Sequence, residues 1–386
     1  GYCVTPGDTT LVSQGQVDSF QQNYGPCDTT LYGLTVQRPN YDLNKDYSAS
    51  PYNVLTIQDC EATPRESQTI QSSEREQCRA DRDSYNNLTG LLGLKEVRGH
   101  LTINVQVGLS DASGLADLER VQGDLSITGN KALETIDLGN LSIVEGSLFV
   151  DSNAVLPTLE LKNLLSVGGQ EVRLKDNQSL KLLDLSGLET LAVLRVEATG
   201  LLDLSGFSGL SSLTGSLYVT GNSSLSSVSG LEKLTVIGED IEISSNSVLK
   251  DLYGLQYLEV VNGSLTIASN PQLTDIGLLS LVEVKGGLLI QSNATASPTS
   301  RLTLDGLSAL TTVGGSLTIS SNRYLTNVDG LSSLSSVGSH FNFLDNSSLP
   351  DAHGLLSLSS VLGNLTVTGN GGMRDCSGLS TVLGWG

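Results

Sequence analysis

From about residue 87 to the end of the chain, apolar and polar positions follow one recurring phrase, G-L-x-x-L-x-x-V-x-G-x-L-x-I-x-x-N. Clear copies are GLEKLTVIGEDIEISSN, GLSALTTVGGSLTISSN and GLSSLSSVGSHFNFLDN. Within each copy a short core such as L-T-I or L-Y-V alternates inward and outward, the period-two pattern of a half-buried strand. The Gly before the core and the S-N or G-N after it supply turn chemistry. The cores start at Leu101, Leu125, Leu148, Val172, Leu194, Leu217, Ile241, Leu265, Leu288, Leu317, Phe341 and Leu365, in steps of 24, 23, 24, 22, 23, 24, 24, 23, 29, 24 and 24. LYGLTVQ near Leu34 reads as one earlier copy, which makes thirteen. A step near 24 residues is too short for a paired-helix repeat and matches one coil of a β-solenoid. No copy contains a helical stripe of ten or more residues, so little helix is expected between strands.

The expected fold is all-β: a single right-handed parallel β-solenoid, similar to leucine-rich repeats, with about 24 residues per coil and about 13 coils. Stacked coils repeat every ~4.8 Å, which gives a body on the order of 60 Å long. Aliphatic side chains then form continuous internal columns, each buried one contributing about 1.5–3 kcal/mol. The Asn after the strand recurs as Asn130, Asn153, Asn177, Asn222, Asn246, Asn270, Asn293, Asn322, Asn346 and Asn370. Such a row is an amide ladder satisfying corner backbone groups, or a glycan or ligand row.

The composition changes the picture in three ways. Aromatic residues are 4% against 38% hydrophobic, so the core rests on Leu, Val and Ile. The formal charge of −20 repels phosphate backbones and anionic headgroups, so nucleic acid is not an expected partner. No apolar run of 18 residues exists, so no direct membrane insertion is expected in this segment, and a signal peptide, if one existed, has been removed. Eight Asn-x-Ser/Thr sequons occur, at Asn87, Asn140, Asn177, Asn222, Asn262, Asn293, Asn346 and Asn364. With the clustered Cys they point to the secretory pathway and to an extracellular or cell-surface location carrying N-linked glycans. Asn177, Asn222, Asn293 and Asn346 are also row members, so Asn87, Asn140, Asn262 and Asn364 rank first as glycan sites.

No G-x-S-x-G, P-loop, H-E-x-x-H or EF-hand pattern appears in the sequence. His100 and His340 hold the same place in copies ten rungs apart, on the order of 48 Å, and His353 has no Cys or acidic partner at metal-ligand spacing. A column of Asp137, Asp184, Asp203, Asp251, Asp351 and Asp375, with Asp305 and Asp329 nearby, reads either as turn caps or as Ca²⁺ ligands. Turn caps are the favoured reading, so no cofactor is expected and calcium is not. Outward strand positions include Thr102, Thr266, Thr318 and Thr366, but Phe149, Arg173, Arg195, Tyr218, Glu242 and Leu289 interrupt any regular threonine lattice.

The V-x-G-x-L-x-I-x-x-N and G-L-x-x-L motifs over roughly residues 87–386 resemble the receptor L-domain. That is the leucine-rich β-helical module of insulin and epidermal growth factor receptor ectodomains. The chain is similar above all to longer relatives in fungal cell-wall and microbial surface proteins. It departs from the receptors in running as one array without a Cys-rich module between. The resemblance implies a binding or structural module and no catalysis. The stretch LVSQGQVDSFQQNYGPCDTTLYGLTVQ also looks like that family's N-terminal cap.

The cap has its own physical reading. Ser13 and Gln16 make an S-x-x-Q capping box, and Val17, Phe20 and Tyr24 share one helical face. A short helix there would cover the first coil, bracketed by Cys3 and Cys27. Residues 39–86 are polar, lack the phrase and hold Cys60 and Cys78. They read as an inserted excursion pinned by a Cys60–Cys78 bridge worth about 3 kcal/mol, although other pairings remain open. The division is thus 1–38 cap and first coil, 39–86 insertion, 87–386 one continuous solenoid. Cys376 is left over, either an intermolecular thiol or a buried free one. The chain stops as another coil begins with GLSTVLGWG, which implies more polypeptide or a covering subunit. The expected function is a secreted cell-surface or matrix glycoprotein of structural or adhesive role, partnered by protein, glycan or copies of itself. The alternative is a receptor-like ectodomain binding a peptide or glycan.

Overall fold

The computed structural model describes residues 87–104, 108–297, 299 and 301–383, with four short strands at Thr9–Leu11, Thr29–Leu31, Leu34–Gln37 and Val54–Gln58. The helix expected at 13–24 and the four cysteines at 3, 27, 60 and 78 lie outside the described residues. Two compact units, residues 1–188 and 189–386, are distinguished.

Each unit is built from parallel strands contributed one per coil. In the first, the main sheet runs Thr9–Leu11, Leu34–Gln37, Val54–Gln58, His100–Asn104, Leu125–Thr128, Leu148–Asp151, Glu171–Lys175. In the second it runs Val193–Glu197, Leu217–Thr220, Ile241–Ser244, Leu265–Ala268, Leu288–Gln291, Leu317–Ser320, Phe341–Leu344, Leu365–Thr368. Every core start named from the phrase falls inside one of these strands. The solenoid amounts to about eleven turns rather than thirteen. Twelve regular strands, His100–Asn104 to Leu365–Thr368, enclose one fewer lap, and Val54–Gln58 stands in the sheet between Leu34–Gln37 and the first of them.

Register explains the core. Leu148 faces Leu125 on one side and Val172 on the other, and all three are fully buried. In the second unit Leu217, Ile241 and Leu265 repeat the arrangement. The V-x-G part of the phrase forms a second, shorter parallel sheet in each unit, for example Ser212–Leu213, Val236–Ile237, Val260–Val261 and Glu283–Val284. Its inward residues, such as Ile237 and Val261, close the core from the opposite wall.

The G-L of the phrase forms one tight 3₁₀ turn in many coils, including Tyr253–Leu255, Asp305–Leu307 and Asp329–Leu331. Its glycine is required by contact: a Cβ on Gly330 would stand 1.7 Å from the Leu304 carbonyl oxygen of the coil below. The α-helix among the described residues is the single turn Ser380–Leu383, at the C-terminal side. Across the long step of 29 residues between Leu288 and Leu317 the register is kept, with Leu288 opposite Leu317.

Candidate functional site

Three files of polar side chains recur from coil to coil. The first is the asparagine row. The residue before each Asn adopts left-handed backbone, with φ between 50° and 60° at Ser152, Asp176, Ser245, Ser269, Ser292, Ser321 and Asp345. That twist turns the Asn side chain inward, where Asn130, Asn153 and Asn177 in the first unit and Asn222, Asn246, Asn270, Asn293, Asn322 and Asn346 in the second are wholly buried. Asn370 closes the row half-buried. Each amide ties its coil to the one before, and most reach the one after: Asn246 Nδ2 donates to the Val219 carbonyl at 2.8 Å and to Asn270 Oδ1 at 3.3 Å, and Asn246 Oδ1 accepts the Asn222 N–H at 3.0 Å. At the position between, Thr199 stands in for Asn, its Oγ1 donating to Asn222 Oδ1 at 2.8 Å.

The second file is the aspartate column. Asp137, Asp184, Asp203, Asp251, Asp351 and Asp375 each accept the N–H two residues on, at 2.8–3.2 Å. Asn327 takes this role in the coil of Asp329, and Asp305 opens its own 3₁₀ turn. One oxygen of each capping carboxylate is thus engaged in its own turn. No group of three or more His, Cys, Asp or Glu among the described residues is arranged to hold a metal ion.

The third file was not legible in the phrase. The residue just before the main strand offers a side-chain acceptor to the next coil. His100 Nδ1 accepts the Asp124 N–H at 2.9 Å, Asp124 Oδ1 the Ser147 N–H at 2.7 Å, and Ser147 Oγ the Gln170 N–H at 3.1 Å. In the second unit Ser216, Asp240, Ser264 and His340 do the same. His353 also corrects expectation. Its Nδ1 lies 3.1 Å from Asp351 and its Nε2 3.2 Å from Asp375, so it has two acidic partners, on opposite ring edges. Ser377 and, to a lesser degree, His353 hold the Asp375 carboxyl below the usual range.

What remains outside the files is the outward row of each main sheet, half-exposed throughout. In the first unit it reads Thr102, Ser126, Phe149, Arg173. The Arg173 guanidinium lies 4.5 Å from the Phe149 ring centre and donates to Asp151 at 3.0 Å. In the second unit it begins Arg195, Tyr218, Glu242, Thr266. Arg195 lies 3.9 Å over the Tyr218 ring and pairs with Glu197 at 2.9 Å.

The sequons divide by burial. Asn140, Asn262 and Asn364 are exposed and Asn87 half-exposed. Asn177, Asn222, Asn293 and Asn346 are wholly buried, and their Nδ2 atoms donate to the carbonyls of Val150, Val196, Ile267 and Ile319. A glycan on any of those four nitrogens would displace that bond and the packing around it. Cys376 is exposed rather than buried, with its Sγ 3.6 Å from Met373 Sδ. No helix among the described residues is long and apolar enough to cross a membrane.

No family model matches the chain, and no curated protein matches it. Among solved structures, an internalin (inlF) from Listeria monocytogenes is similar over 77% of this chain and 88% of that chain, at 16% identity and a TM-score of 0.34. The chain's place among leucine-rich parallel β-solenoids therefore rests on its own register, core and repeat.

Proposed function

We propose that this chain is an extracellular or cell-surface glycoprotein, a rigid adhesive or structural scaffold that makes contacts through the outward rows of its main sheets. One observation carries the reading. The inward columns and the corner row answer to stacking and repeat their residue types, whereas the outward row of the main sheet changes freely: Thr, Ser, Phe, Arg in the first unit and Arg, Tyr, Glu, Thr, Leu, Thr, Asn, Thr in the second. Variation where stacking demands none is what a recognition surface needs, and the function of a fold lies in such grafted surfaces. The absence of a convergent catalytic constellation in the sequence motifs, the four accessible sequons and the −20 formal charge agree with this reading. So does the resemblance to receptor L-domains and their wall-protein relatives.

Two experiments test it. Glycopeptide mass spectrometry of the secreted protein should find glycans at Asn87, Asn140, Asn262 or Asn364 and none at the four buried sequons. Electron microscopy of the native material should find the protein in a wall, coat or filament; a dispersed monomer with one saturable ligand would favour the alternative. That alternative, a receptor-like ectodomain, draws support from the stacked Arg–aromatic pairs, residue types enriched at binding hot spots. Turnover of a polysaccharide by the purified chain would defeat both.

A further inference from the structure

On one flank of the second unit, three consecutive coils depart from their serine-rich neighbours. Val236 and Val260 sit side by side at the outward position of the short sheet. The same file continues as Glu283, Thr312, Ser336 and Ser360. Val282 lies next to Glu259 of the coil below, whose carbonyl accepts its N–H at 2.8 Å. Tyr257 and Leu279, from the turns leading into these strands, are 55% and 48% exposed, and Val236 and Val282 are 42% exposed each. Apolar surface gathered this way and rimmed by polar residues marks interaction sites.

The border of the patch is acidic. Tyr253 leans over the next coil, where a Cβ on Gly277 would lie 3.2 Å from its Cδ1. Its hydroxyl donates to Asp275 at 2.5 Å. Asp275 first, then burial, and then Asp251 and Asp305 push the phenol up to about 12, which reports the negative field at this edge. Glu259 and Glu283 add two more carboxylates, against Lys233, Lys250 and Lys285. A second copy would bring the same carboxylates and another −20 formal charge to the contact. A basic partner would gain what that copy loses.

We infer that this flank docks a basic protein segment that sets aliphatic side chains among Val236, Tyr257, Leu279 and Val282 and lysines or arginines against the Asp251–Asp275–Asp305 border. It is separate from the main-sheet rows and stands or falls independently of them.

The test uses the whole chain and two synthetic probes, a peptide of alternating leucine and lysine and the same peptide with serine for leucine. The variant is Val236→Ser/Tyr257→Ser/Val282→Ser, with Tyr257→Ser alone as the milder form should the triple change fail to fold. The leucine–lysine peptide should bind the native chain saturably, lose about tenfold or more on the variant, and weaken with salt. The serine–lysine peptide should bind both chains equally, reporting only the general acidic field. Asp251→Asn/Asp305→Asn should also weaken the first peptide. Equal binding of the leucine–lysine peptide to native and variant chains, or no saturable binding, overturns the proposal. So does sedimentation that shows a native dimer and a variant monomer, which would assign the flank to a second copy.

Discussion

At the scale of single residues, the amide row carries the sharpest consequence. Replacing Asn246 by Ala strands the buried Asn222 N–H and withdraws the donor to the Val219 carbonyl. At roughly 1–3 kcal/mol per orphaned group, a loss of about 2–5 kcal/mol is expected, read as a lower urea midpoint. Ala198 gives the opposite case. It holds φ +50° with a methyl that can make no compensating hydrogen bond, so Ala198→Gly should stabilise by about 0.5–1 kcal/mol in the same assay. Tyr253 supplies a pH signature. Because its phenol is raised to about 12, its contribution is complete below the unfolded value of about 10 and is lost as pH rises toward the folded one. Stability should therefore fall between about pH 10 and about pH 12 more steeply in the native chain than in Tyr253→Phe. The amide row was legible because every member is the same residue type. The acceptor file at His100, Asp124, Ser147, Ser216 and Asp240 was not, since His, Asp and Ser do one job with three chemistries. Of the two partners of His353, Asp351 stands two residues away, whereas Asp375 escaped because it reaches the ring through stacking, one coil further on.

At the scale of the element, the glycine of the 3₁₀ turn decides whether two laps can close. Gly330→Ala places a methyl 1.7 Å from the Leu304 oxygen, and only separation of the coils relieves it. A loss of about 3 kcal/mol or more is expected, while Gly371→Ala, with nothing within 4 Å, should leave the thermal midpoint where it is. The period of about 24 made the main strands readable, because stacking forces every lap to return its apolar residues to the same column. Val54–Gln58 was missed for the same reason. It pairs with His100–Asn104 in full register, but the residues around VLTIQ carry neither the leading G-L nor the closing Asn that announce a coil. The short second sheet was hidden by length, since two residues per strand show no alternation.

At the scale of the whole molecule, charge is the dominant collective term. Forty-one acidic residues against twenty-one basic ones repel one another in the compact state. Raising salt from about 10 mM to about 300 mM shortens the Debye length from ~30 Å to less than 10 Å, and the thermal midpoint should rise accordingly. An unchanged midpoint would mean that paired charges such as Lys95–Glu119 already neutralise the field locally. The lap between Leu288–Gln291 and Leu317–Ser320 has a different kind of consequence. Asn293 passes its N–H to Asn322 across 29 positions as readily as Asn246 does to Asn270 across 24, so the corner forgives added length. The exposed positions Thr295 and Thr299 thus offer a graft point. A foreign epitope spliced there would be held out from a stiff frame, while the columns on either side register no change.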